Sequence, residues 1–325
     1  MRAIVRQQYG GPEQLVIQNV PDPEPMPGQV VIEVKAFGIN HAETYMRKGE
    51  WGDVVKISGI ECVGLAKTSP DGKFTPGQKV AAIMGGMGRT INGSYAEYTC
   101  VPASNVVPLE TDLAWEELAA IPESYATAWT CLYRNLELAA GQTLVIRGAT
   151  SALGQAALNI AARAGAHVIA TTRSRERFAK LQALGAEHVE VEGPGLSCRI
   201  RERNPEGCDA VLDLVGNSTL LDSLVMVRRG GHVCQAGFLG GLAALASFNP
   251  LQQMPSGVHL SFFGSFVFGT PEFPLSNVPL QAMVERAGAG IYKAKPAQVF
   301  SFEQIQEAHR VIEANKANGK LVVRL

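Results

Sequence analysis

The sequence predicts an α/β chain of two domains: a doubly wound parallel sheet, and a β-rich domain that the C-terminal segment returns to complete. Three observations carry this. Residues 1 to about 115 read as short strands separated by turn clusters; from about Trp115 strands and helices alternate; from about Ser265 that alternation stops. A chain of 325 residues suits two domains, placed at 1–117 completed by 266–325, and at 118–265.

In the first segment, residues 2–5, 15–20, 29–37, 61–67, 79–83 and 93–101 read as strands. Pro21-Asp22-Pro23, Pro25-Met26-Pro27-Gly28, Ser69-Pro70-Asp71-Gly72 and Thr75-Pro76-Gly77 separate them as turns. Val30 to Val34 mix alternation with continuous apolarity, as a well-covered barrel strand does. Gly85-Gly86-Met87-Gly88-Arg89 is expected as a flexible loop beside a ligand.

The alternating part opens with helices at 115–121 and 124–138. A strand at 144–147, a turn of small residues, an alanine-rich helix at 152–164 and a strand at 167–172 follow. Strand, tight turn and helix make the phosphate-binding corner of a dinucleotide fold. Small residues let the backbone approach a pyrophosphate, and the helix N-terminus offers N–H groups and a positive dipole end. The three positions of the usual G-x-G-x-x-G hold Ala149, Ser151 and Gly154. Only the last is glycine, where the helix must pack closely on the strand. A βαβ unit that binds nothing is the competing reading.

The end of the second strand selects the cofactor. An NAD site usually offers Asp or Glu there to the ribose 2′-OH. Here Thr171, Thr172, Arg173, Ser174 and Arg175 come first, and no carboxylate precedes Glu176. Hydroxyls and guanidinium groups suit a 2′-phosphate, so the expected cofactor is NADP(H). The alternative is a solvated helix start carrying Arg173, Arg175 and Arg177; arginine is out of place at the positive end of a helix, which favours a function.

Further along, a helix at 175–184, a strand at 188–191, a strand at 210–215, a helix near 219–227 and strands at 232–236 and 258–263 complete a doubly wound sheet. Its strand ends carry Gly148, Gly216, Gly237 and Gly264, one common ligand edge. The last segment reads as an apolar loop at 266–274, a helix at 280–288, a strand at 298–301, a helix at 303–315 and a strand at 319–323.

Hydrophobic residues make up 46% and charged residues 18%, and the net charge is −1. Nothing in that balance calls for nucleic acid or an anionic membrane as partner. No apolar stretch approaches the roughly 18 residues of a membrane span. The N-terminus runs straight into a strand pattern, so no signal peptide is expected. Cys62, Cys100, Cys131, Cys198, Cys208 and Cys234 are scattered without C-x-x-C spacing, as suits reduced thiols in the cytoplasm.

The chain resembles the medium-chain dehydrogenase/reductase superfamily, in its zinc-independent quinone oxidoreductase branch, over nearly its whole length. Four stretches carry the resemblance: Phe37-Gly38-Ile39-Asn40-His41-Ala42-Glu43-Thr44-Tyr45-Met46-Arg47-Lys48-Gly49, Gly59-Ile60-Glu61-Cys62-Val63-Gly64, Pro122-Glu123-Ser124-Tyr125-Ala126-Thr127-Ala128-Trp129 and Asn318-Gly319-Lys320-Leu321-Val322-Val323. It implies a GroES-like β-barrel catalytic domain, a Rossmann NADP-binding domain and a cofactor held in the cleft between them.

It also implies site residues. Asn40 would bond near the nicotinamide or the substrate oxygen, and Tyr45 would donate to that oxygen or line the pocket. Thr127, Ser151, Ala152 and Leu153 would face the pyrophosphate. Thr172, Arg173 and Ser174 would take the 2′-phosphate. Val215, Gly237, Phe263 and Lys320 are further candidates near the cofactor. No metal is expected: a catalytic zinc needs two Cys and a His, whereas the family's first Cys position matches Asn40, its His matches Ile60, and no Cys lies in the 122–125 region. His41 has no partner at ligand spacing.

The expected reaction is NADPH-dependent reduction of quinones by hydride transfer without metal, with an enoyl or alkenal reductase as the alternative. A non-catalytic NADPH-binding protein is a third reading, which the near-neutral charge, Asn40 and Tyr45 disfavour. The partner is then a small-molecule quinone or enone. The apolar run Val258-His259-Leu260-Ser261-Phe262-Phe263 suggests an edge strand too hydrophobic to leave exposed, and the resemblance implies that it pairs in a homodimer.

Overall fold

The computed structural model describes residues 1–325. In chain order its elements are β1 (Arg2–Arg6), β2 (Leu15–Asn19), β3 (Gln29–Ile39), α1 (His41–Lys48), β4 (Glu61–Thr68), β5 (Lys79–Ile83), β6 (Tyr98–Pro102), β7 (Val106–Pro108), α2 (Trp115–Leu118), α3 (Pro122–Thr130), β8 (Thr143–Arg147), α4 (Ala152–Arg163), β9 (His167–Thr172), α5 (Phe178–Leu184), β10 (His188–Val191), α6 (Leu196–Arg203), β11 (Cys208–Asp213), α7 (Leu220–Leu224), β12 (Val227–Gln235), α8 (Pro250–Gln253), β13 (His259–Phe262), α9 (Leu280–Gly288), β14 (Gln298–Ser301), α10 (Ile305–Glu313) and β15 (Leu321–Arg324). They form two compact units. One comprises Met1–Ala126 and Ser265–Leu325, the other Thr127–Gly264.

The first unit is a β fold. β1 and β2 form a two-stranded ribbon, and a larger sheet runs β14-β15-β3-β4-β5-β7, with β6 also on β3. The C-terminal strand β15 lies antiparallel on β3, with Leu321 opposite Ile39. That register brings Lys320 to the start of α1. The core between the strands is aliphatic, with Phe37 stacked on Tyr95 at 4.6 Å between ring centroids.

The second unit is the doubly wound fold. Six strands, β10-β9-β8-β11-β12-β13, are all parallel. Their order reverses between β8 and β11, and in such sheets ligands bind beyond the strand carboxyl ends at that reversal. α4 packs on β8 and β9, and α7 on β11 and β12.

Several elements differ from the sequence reading. The strand expected at 93–101 begins only at Tyr98, because Gly93, Ser94 and Tyr95 donate their N–H groups to the loop carbonyls of Ile57, Gly59 and Ser58. The helix expected at 124–138 starts at Pro122 and widens into a π-turn over Cys131–Asn135. β11 stops at Asp213 instead of 215, because the Asp213 carboxylate takes the N–H groups of Val215 and Gly216 at 2.9 Å each and turns the chain. β12 starts at Val227, earlier than 232, through a polar Arg-Arg-Gly-Gly stretch. α1, α6, α8 and the three-residue β7 have no counterpart in the sequence reading.

Candidate active site

In the second unit the corner between β8 and α4 is built around glycine. Gly148 takes a left-handed φ of +74°. A Cβ on Gly154 would lie 2.6 Å from the Gly148 carbonyl oxygen and 2.7 Å from Ala149 Cα. The position therefore admits only glycine. Ser151 caps α4: its Oγ accepts the Gly154 N–H at 3.1 Å and donates to the Gly148 carbonyl at 2.9 Å. Ala152 and Leu153 open the helix, half-buried. A tight backbone cradle at the N-terminus of a twelve-residue helix fits the pyrophosphate of a dinucleotide.

The other candidates of this unit lie at neighbouring strand ends. Thr172 is buried at the end of β9, where its Oγ1 accepts the Ser174 N–H at 3.3 Å; Arg173 beside it is exposed. Val215 follows β11, Gly237 follows β12 and the buried Phe263 follows β13. Thr127 is buried in α3, away from these strand ends in sequence.

A buried ion network that the sequence reading overlooked braces this edge. Arg147, the last residue of the strand read at 144–147, has a side chain only 2% exposed. It pairs with Glu192 and, at 2.9 Å, with Asp222, and it donates to Ser223 Oγ at 3.0 Å. Glu192 in turn accepts the Thr171 hydroxyl at 2.7 Å, and Thr171 Oγ1 accepts the Gly148 N–H at 3.2 Å. Burial alone would lower the Arg147 pKa, but Glu192, Asp213 and Asp222 raise it. Arg177, read with Arg173 and Arg175 at the helix start, reaches Thr150 Oγ1 at 3.4 Å. An arginine inside an otherwise apolar strand was the available signal for the Arg147 network.

In the first unit the site forms around Asn40, the N-cap of α1. Its Oδ1 accepts from Lys320 Nζ at 2.7 Å and its Nδ2 donates to Glu61 Oε1 at 2.9 Å. Lys320 and Glu61 are themselves ion-paired, with side chains 4% and 1% exposed. Glu61 Oε2 accepts the Glu123 N–H at 2.9 Å. Gly38 makes room for the pair, since a Cβ there would collide with Lys320 Cε and Glu61 Oε1. An ammonium can only donate, so the Asn40 amide orientation follows from its neighbours, and one Nδ2 proton is left for a further partner.

Behind Asn40 lies Glu43. Its carboxylate accepts the N–H groups of Asn40 and Ile60 at 2.8 and 3.0 Å and the Tyr95 hydroxyl at 2.9 Å. Burial pushes its pKa up to about 7, against the pull of the Asn40 N–H, the Tyr95 hydroxyl and Lys320. Tyr45, one turn along α1, is buried; its ring lies edge-on to His41 and parallel to Trp51, with centroids 5.1 and 6.2 Å away. Burial lowers the His41 pKa, aided by Lys48.

These residues do not suit a zinc ion. Asn40 and Ile60 stand where the resemblance puts two of its ligands, the Lys320 ammonium bonds both Asn40 and Glu61, and no group of three His, Cys, Asp or Glu side chains converges anywhere in the chain.

Comparison with known proteins agrees with the two folds. The family model described as zinc-binding dehydrogenase matches residues 152–280, and that of the alcohol dehydrogenase GroES-like domain matches residues 26–111. The chain is 28% identical to the quinone oxidoreductase of Rattus norvegicus over 334 residues, covering 100% of this chain and 98% of that one. A mycobacterial protein solved in complex with NADPH is 26% identical with a TM-score of 0.88, and both chains are covered in full. A quinone oxidoreductase of Pseudomonas syringae is 24% identical with a TM-score of 0.89, covering 100% and 99%. The chain belongs to the medium-chain dehydrogenase/reductase superfamily, in its quinone oxidoreductase-like branch, and is an NAD(P)-dependent oxidoreductase.

Proposed function

We propose that this chain reduces quinones with NADPH and without a metal. The observation that carries the reading is the Asn40 carboxamide, held by Lys320 and Glu61 with one N–H to give. When a hydride reaches a conjugated carbon of the acceptor, negative charge gathers on its oxygen. A fixed N–H aimed at that oxygen stabilises the charge without reorganising at the moment of reaction. Tyr45 is the second donor we assign, and its stack with Trp51 gives an aromatic wall suited to a flat acceptor.

The β8–α4 corner would hold a dinucleotide, which would provide the hydride. Ser151, Ala152 and Leu153 would hold its pyrophosphate, with Thr127, Val215, Gly237 and Phe263 around it. Arg173, Ser174 and Thr172 would take a 2′-phosphate, which favours NADPH over NADH; the half-buried acid that accepts from Thr171, Glu192, is already paired with Arg147. Lys320 serves Asn40 more directly than it would serve a cofactor. We also propose a homodimer through β13, and a cytoplasmic setting, supported by six free cysteines of which four are buried.

The test is Asn40→Ala with a quinone acceptor. Loss of one oxyanion donor should lower kcat about 100-fold, with affinity for NADPH unchanged. Wild-type turnover in the variant removes Asn40 from the reaction, and turnover by the wild-type chain only with alkenals or enoyl thioesters moves the assignment to enoyl reduction.

A further inference from the structure

We propose that His309 is a positioning residue for Asn40, acting from the C-terminal helix α10 through Tyr95 and Glu43. The inference rests on the reading of Asn40 as the donor to the acceptor oxygen. Four side chains from three separate segments, all fully buried, form one line: Arg47, His309, Tyr95 and Glu43. Arg47 Nη1 lies 3.4 Å from His309 Nδ1, His309 Nε2 lies 3.0 Å from the Tyr95 hydroxyl oxygen, and that hydroxyl lies 2.9 Å from Glu43 Oε2.

The direction of every bond in the line follows from its ends. A guanidinium has no acceptor, so His309 Nδ1 accepts from Arg47. The imidazole proton therefore sits on Nε2 and donates to Tyr95. Tyr95 is left to donate its own proton to Glu43. Burial and the nearby Arg47 charge keep His309 neutral, its pKa lowered to about 3, which is the state this line requires. Arg47 is anchored at the far end by Glu313 and by the Gly10 carbonyl at 3.1 Å.

The same Glu43 oxygen that accepts from Tyr95 accepts the Asn40 backbone N–H. Glu43 Oε1 holds the Ile60 N–H, the residue preceding Glu61. Glu43 thus fixes the backbone on both sides of the amide that Lys320 and Glu61 orient. If the Tyr95 donor is lost, a buried carboxylate is left short of a partner and must take up a proton or shift. Either response moves the Asn40 N–H that it holds. None of these four side chains needs to touch the acceptor for this to matter, since small misplacements of a catalytic group cost rate rather than binding.

The experiment is a double-mutant cycle on kcat with a quinone acceptor at saturating NADPH, with NADPH affinity and Tm measured on each variant. His309→Leu should lower kcat about tenfold with NADPH affinity unchanged. His309→Gln, which can accept from Arg47 and donate to Tyr95, should stay within about threefold of wild type. In the Asn40→Ala background His309→Leu should cost nothing further, because coupling between the two sites makes their effects non-additive. Tyr95→Phe, which keeps the stack on Phe37, should behave as His309→Leu does and serves if that variant does not fold.

Equal losses from His309→Leu in both backgrounds, or a fall in His309→Gln as deep as in His309→Leu, overturn the positioning role while leaving Asn40 in place. Wild-type kcat in Asn40→Ala overturns the reading beneath it, and the two failures are thereby told apart.

Discussion

After Lys320 and Glu61 are satisfied, the Asn40 carboxamide has a single N–H to offer, and the chemistry assigned to this chain turns on it. Asn40, Tyr45 and Lys320 are visible in the sequence through their motif, but most of their partners are not. Glu43 stands three residues after the N-cap Asn40, the spacing of a capping box, but Glu61, Tyr95 and His309 join it only when β4, α1 and α10 are folded. His309 gives this scale its prediction. Its folded pKa of about 3 lies below the ordinary 6.5, so the unfolded chain binds the extra proton first as pH falls. Its contribution is fully present above pH 6.5 and is lost as pH falls toward 3. Denaturant unfolding of wild type and His309→Gln should therefore diverge on acidification, wild type losing about 2 kcal/mol relative to the variant between pH 7 and pH 5. Parallel curves over that window would show that His309 is charged in the folded protein.

Among the elements, β8, β9 and α4 are legible because a buried apolar strand, a small-residue turn and an alanine-rich helix each carry strong pattern. α6 hides because only Leu196 and Ile200 of its eight residues are buried. β11 and β12 are misplaced at their ends by polar turns, where the carboxylate of Asp213 and the pair Gly230-Gly231 override the hydrophobic pattern. β13 carries a prediction of its own. It is the sheet edge, with Leu260 36% and Phe262 54% exposed. An unpaired apolar edge is a template for a second strand, and a copy of β13 is the partner we assign. Sedimentation equilibrium should give a dimer, and Phe262→Glu a monomer; a wild-type monomer at micromolar concentration would contradict this pairing.

At the scale of the whole molecule, a β unit that the last segment of the chain completes and a doubly wound unit lie on one polypeptide. The return is physical: β15 pairs with β3 and delivers Lys320 to Asn40 across 280 residues of sequence. No helix is long and apolar enough to cross a membrane. The switch from strand rhythm to βαβ rhythm near Trp115 made two folds readable. The most direct measurement is the rate of NADPH oxidation by the purified protein with 9,10-phenanthrenequinone, with NADH run in parallel. Quinone-dependent turnover with kcat/KM for NADPH at least about tenfold above that for NADH is the expected result, since a charge-assisted contact to the 2′-phosphate contributes 1.5–3 kcal/mol as an order of magnitude, about 1.4 kcal/mol of which is tenfold. No quinone turnover, or preference for NADH, would contradict it.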